Sequence, residues 1–161
     1  MLRLVSLGVA LAMAAGCASS WADMGGTLLG EDFTHPMGVY NGEKFVVVTD
    51  RALGCQKVGW VERHLASGPA ATGAPNFLAL VLARDAGFSM ETPELAVAAA
   101  IVEGFAVQSA DGELLVEPAR SGAVTLDAVE TDGITGSLSV AFAHDGVGGT
   151  FQSEHCVSLD R

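Results

Sequence analysis

Three Asp-Gly dipeptides, Asp111-Gly112, Asp132-Gly133 and Asp145-Gly146, punctuate the second half of this chain. Asp-Gly readily adopts the positive backbone dihedrals of a tight hairpin turn, so the segments on either side are directed toward antiparallel pairing. Between the last two turns, the stretch from Ile134 to Ala143 places Leu138, Val140 and Phe142 on one face and Ser137, Ser139 and Ala141 on the other. That is the period of a half-buried strand. Before it, Val124, Leu126 and Ala128 alternate with Thr125 and Asp127 until the apolar Val129 breaks the period, which predicts a bulge or a change of face there. After it, Gly149 to Ser153 carries the chain to Cys156, with Phe151 as the inward anchor. The three segments read as a meander that Cys156 ends.

The first half is less regular. Phe45 to Thr49 is a β-branched run that predicts a strand buried on both faces, and Asn41-Gly42 before it is a further turn signal. From Arg51 to Leu65 the period changes. Val58, Val61 and Leu65 fall at helical spacing, Asp50 is available as an N-cap and Gly68-Pro69 as a stop, so a short helix is expected with Cys55 on its first turn. Ser67 to Pro75 reads as a loop and Phe77 to Leu82 as a second apolar strand. Thr92 to Val107 is ambiguous: Thr92-Pro93-Glu94 resembles a helix start, whereas Ile101, Gly104 and Phe105 lead into the Asp111-Gly112 hairpin. A strand from about Val97 to Gln108 is the expectation. The fold predicted is mainly β, an antiparallel β-sandwich or flattened barrel with one short α-helix, as a single domain over residues 23–161.

Residues 1–22 read as an export signal: Arg3 supplies the positive start, and Leu4 to Gly16 is an uncharged apolar stretch too short to span a bilayer. Two exits from it are open. Ser20-Trp21-Ala22 offers small residues for cleavage before Asp23, and Ala14-Ala15-Gly16-Cys17 resembles a lipobox, in which Cys17 would be lipidated and become the first mature residue, although Ala14 stands where Leu is usual. Either way Cys55 and Cys156 remain, and in an oxidising compartment they are expected to be bonded to each other. The pair lacks the C-x-x-C spacing of redox or metal sites. Export predicts a periplasmic protein or an outer-membrane-anchored lipoprotein of a bacterium.

The arrangement also resembles a loose group of small exported bacterial proteins, many of them lipoproteins, of uncharacterised function. The matching residues are Ser121-Gly122-Ala123-Val124-Thr125-Leu126, Gly136 to Phe142, Gly149-Thr150-Phe151 followed by Cys156, and Val48-Thr49-Asp50 followed by Cys55. A further cysteine that many members carry between these two is missing here. The resemblance implies a β-sandwich with a disulfide-tethered helix and carries over no catalytic residue.

Charge narrows the partners. With Arg3 lost from the 8 basic residues, seven remain against 19 acidic ones, a net charge of about −12, which argues against nucleic acid and anionic lipid headgroups, since both need a basic patch. Membrane contact would then come only through a lipid on Cys17. Of the histidines His35, His64, His144 and His155, the sharpest metal candidate is His144-Asp145 beside Glu154-His155, if the last hairpin brings them together to hold zinc or copper. Turn chemistry outweighs that assignment for Asp145. The three Asp-Gly aspartates do not form a calcium loop, and there is no G-x-S-x-G around Ser67 or Ser109. Gly25-Gly26 and Gly148-Gly149 lack a phosphate-loop context, and Glu31-Asp32, Glu91 and Glu94 read as solvated. Trp60 suits a core position better than a ligand pocket. No cofactor is implied. The function expected is a non-enzymatic binding or structural module; the alternatives are a small-ligand carrier with a barrel interior, favoured by the Ala-rich stretch Ala96 to Ala100, and, third, a metal-dependent or hydrolytic enzyme.

Overall fold

The computed structural model describes residues 20–67, 76–111 and 113–160. The export-signal segment through Ser19, including Cys17, and the Gly68-Pro69 stop lie outside these residues. Twelve strands and one helix follow in order: β1 (Trp21–Leu28), β2 (Glu31–Asp32), β3 (Gly38–Asn41), β4 (Phe45–Thr49), α1 (Cys55–Ser67), β5 (Phe77–Ala83), β6 (Glu94–Val97), β7 (Glu103–Ala110), β8 (Glu113–Pro118), β9 (Ser121–Val129), β10 (Ile134–Ala141), β11 (Gly146–Gln152) and β12 (Glu154–His155). They form two six-stranded sheets, ordered β2-β1-β11-β10-β9-β6 and β12-β3-β4-β5-β7-β8. The fold is a mainly-β sandwich with one helix; of the two architectures expected, it is not the closed barrel.

The contrast between alternating and continuous apolar segments has a direct cause. The main core lies between the sheets, where Leu138, Val140 and Phe151 of the first meet Val46, Val48, Leu80 and Leu82 of the second. Among the described residues nothing covers the outer face of the first sheet, and β9 and β10 alternate apolar with polar. The second sheet is covered on its outer face too: Val47, Ala79, Val81 and Val107 pack with Val58 and Val61 of α1. A strand buried on both sides has no position left for a polar residue. Each of these fully buried valines and leucines contributes roughly 1.5–3 kcal/mol relative to exposure.

The meander β9-β10-β11 forms as expected, with a bulge where the alternation failed. Thr135 pairs with Ala128 but Gly136 with Leu126, so Asp127 is the extra residue. Cys156 does not end this meander within its own sheet. After β11 the chain crosses to the second sheet, where β12 pairs in parallel with β3. There Cys156 is bonded to Cys55 with a Cα–Cα distance of 5.3 Å.

Three local expectations are corrected. The helix starts at Cys55 rather than near Arg51, and Asp50 does not cap it: the Asp50 carboxylate accepts from Leu78 N at 2.9 Å, extending the β4–β5 pairing by a side chain. Gly54 takes the capping position with φ +72°, its carbonyl accepting from Lys57 N and Val58 N. The strand expected from Val97 to Gln108 is divided between the two sheets. β6 pairs with β9 and β7 with β5, and the intervening bend turns through Ala98 and Ala100, both at φ 64°. Finally, Ala96 and Ala98 to Ala100 are exposed at a sheet edge rather than turned toward an interior.

The approach to α1 depends on Tyr40. Its buried hydroxyl accepts from Leu53 N at 2.9 Å and Gly54 N at 3.0 Å, satisfying two amides where the chain has left the sheet and the helix has not begun. Tyr40→Phe is expected to cost about 1–3 kcal/mol by orphaning both. A urea midpoint equal to that of the parent would show that another acceptor replaces the hydroxyl.

Candidate functional site

The metal candidates from the sequence do not meet. His144 and Asp145 stand on the β10–β11 turn, whereas Glu154 and His155 follow the opposite end of β11. Seven strand residues separate the two pairs by roughly 20 Å. The last hairpin lengthens the distance that it was expected to close. Among the described residues, no three His, Cys, Asp or Glu side chains come together to hold a metal ion.

Asp145 has a structural task instead. Its carboxylate accepts from Thr27 Oγ1 at 2.7 Å and from Gly30 N at 2.9 Å, pinning the β1–β2 turn to the β10–β11 turn. The Thr27 bond first, then the Gly30 amide and the neighbouring His144, hold its pKa below the ordinary 3.8. A carboxyl depressed in the folded state contributes stability above its unfolded value and loses it as pH falls through the folded one. Asp145→Asn is therefore expected to flatten the acid-side fall in stability below pH 3.8. Urea midpoints measured across that range, identical in slope for parent and variant, would refute this role.

Of this pair, Glu154 lies beside the disulfide, its Oε1 4.0 Å from Cys55 Sγ, and His155 belongs to a different constellation. A cleft of about 410 Å³ opens at one end of the sandwich, where the β3–β4 turn, the β9–β10 turn and the C-terminal segment converge. Its apolar walls come from Phe88, Val129 and Ile134, and its polar groups from Asn41, Glu43, Glu130, His155 and Asp160. The volume is in the range of small-molecule sites.

Several of these polar groups form one chain of hydrogen bonds. The Ser153 hydroxyl accepts from Ile134 N at 2.8 Å and donates to Asn41 Oδ1 at 2.7 Å. Asn41 Nδ2 lies 3.4 Å from His155 Nδ1, and His155 Nε2 lies 3.1 Å from Asp160 Oδ2. Asp160 Oδ1 accepts from Glu43 N at 3.0 Å. A neutral imidazole satisfies this sequence with its proton on Nε2, donating to Asp160 and accepting from Asn41. The chain ties β10, β3 and the C-terminus together across the end of the two sheets.

These residues are not a nucleophilic triad. Ser153 is fully buried and its hydroxyl bonds Asn41 rather than His155. A nucleophile needs both access to substrate and a base on its proton. The arrangement can instead position a bound molecule, because Asn41, the imidazole and Asp160 are fixed while the Glu43 and Glu130 carboxylates on the rim remain available.

Sequence reasoning found His155 but missed Asn41, Glu43, Glu130 and Asp160 as its neighbours. Asn41-Gly42 carried a turn signal that accounted for it fully, and the crossing of the chain after β11 has no local signature. Trp60 packs edge-on against Phe77 at a centroid distance of 5.9 Å, beneath α1 and away from the cleft.

Compared with protein-family models, curated proteins and solved structures, the chain matches none. The disulfide suggests a compartment outside the reducing cytoplasm. No helix among the described residues is long and apolar enough to cross a membrane.

Proposed function

We propose that the protein is an exported, non-enzymatic module of the bacterial cell envelope, attached by a lipid on Cys17 and acting through binding at its surface. The observation that carries this reading is where β1 begins. Trp21 and Ala22 pair with Gln152 and Phe151, and Trp21 Nε1 donates to Gln152 Oε1 at 3.0 Å. Cleavage before Asp23 would remove both residues from the strand. Processing before Cys17 leaves β1 whole and places Ala18, Ser19 and Ser20 between the acylated residue and the first strand. The disulfide supports the oxidising setting, and the absence of any catalytic motif from the sequence supports a binding role.

Intact mass of the protein taken from its native envelope tests the attachment. The expected species starts at Cys17, carries an acyl-glyceryl increment and lacks two hydrogens for the disulfide. An unmodified species starting at Asp23 would overturn it. Cys17→Ser is then expected to move the protein out of the membrane fraction.

A further inference from the structure

We infer that the cleft at the end of the sandwich is a binding site for a small organic ammonium ion with a hydrocarbon body. Its floor is apolar, with Phe88 and Ile134 buried and Val129 beside them. Its rim carries carboxylates from three separate segments, Glu43, Glu130 and Asp160, and among the described residues no lysine or arginine lines it. Among the described residues, neither the Glu43 nor the Glu130 side chain is in an ion pair or hydrogen bond, so both can receive a cation.

The spread of these charges decides what kind of cation fits. A bare metal ion needs several ligands converging on one point, and no such group exists among the described residues. An ammonium group needs only two or three acceptors, and its carbon skeleton can cover the apolar floor between them. A carboxylate or phosphate ligand would face uncompensated repulsion. The formal charge of −11 over the whole chain draws cations toward such a rim. Asn41, held by Ser153 on one side and next to His155 on the other, gives the site a rigid wall. The assignment stands whether or not Cys17 is lipidated.

Calorimetric titration of the exported, oxidised protein tests it with three probes of one shape: 2-phenylethylammonium, 2-phenylethanol and 3-phenylpropionate. Saturable binding of the ammonium probe is expected, about tenfold tighter than the alcohol, with none of the acid. The Glu43→Gln/Glu130→Gln variant is expected to weaken the ammonium probe about tenfold, and added salt to weaken it selectively. Both glutamates are exposed, so an unchanged thermal midpoint verifies the variant's fold. Val129→Phe, which fills the floor, is expected to weaken ammonium and alcohol alike. No saturable ammonium binding, equal affinity for the alcohol, or full affinity in the double variant would each overturn the proposal. None of those results would bear on the envelope attachment, which the mass measurement decides.

Discussion

Replacing Cys55 and Cys156 together by alanine is expected to lower the unfolding free energy by about 3–5 kcal/mol. The bond closes a loop of 101 residues in sequence separation, which holds most of the domain. Constraining so long a loop removes much of the unfolded chain's freedom, and the folded state loses a covalent tether between α1 and the C-terminal segment. From Ser153 onward the chain is held by a two-residue parallel pairing with β3, by a 3₁₀ turn over Val157–Leu159 and by the Ser158 hydroxyl, which donates to Cys55 O at 2.6 Å. Leu159 is buried under α1, and His155 and Asp160 stand on either side of the cysteine. Loss of the bond therefore loosens one wall of the cleft as well as the helix. Urea unfolding of the double variant and of the oxidised protein in reductant should show the same lowered midpoint. A midpoint unaffected by both treatments would mean that the C-terminal segment is held by packing alone.

The disulfide was legible because it needed only compartment and count: with the leader set aside, two cysteines remain. The meander was legible for a similar reason, since Asp-Gly turns and period-2 alternation are both local. Val129 marked the bulge correctly, although the extra residue is Asp127. What stayed hidden depends on contacts distant in sequence. Thr92-Pro93-Glu94 has the residues of a helix start, yet Leu95 and Val97 point into the core as β6 pairs with β9, and that pairing overrides the local preference. Asp50 would cap a helix on propensity, but the β5 amide at Leu78 is the donor within reach. The cleft was the least legible part. Asn41 and Asp160 are separated by almost the whole mature chain, and only the crossing of the C-terminus to the second sheet brings them together.

Gly149→Ala is expected to destabilise the protein by about 3 kcal/mol or more, as much as many core truncations, although it adds a single methyl group. Gly149 lies in β11 at φ +152°, a conformation that L side chains rarely adopt. A Cβ built there stands 2.1 Å from Asp23 O and 2.7 Å from Met24 Cα. Both atoms belong to the backbone of β1, so no side-chain rotation can relieve the contact. The same construction occurs in reverse on the partner strand, where a Cβ built at Gly26, at φ +142°, stands 2.0 Å from Gly146 O. The β1–β11 pair is thus held close by two glycines facing opposite backbones, and opening it would detach β1 from the sheet. Gly25, directly between them in the register and opposite Gly148, is the internal control. A Cβ at Gly25 meets nothing within 4 Å and its φ is ordinary, so Gly25→Ala should stay within about 0.5 kcal/mol of the parent. Urea unfolding of the two variants separates a general cost of removing glycine from the specific clash. If Gly149→Ala proved as stable as Gly25→Ala, β1 would have to be free to shift away from β11. The strand would then lose the continuity through Trp21 on which the proposed processing before Cys17 depends.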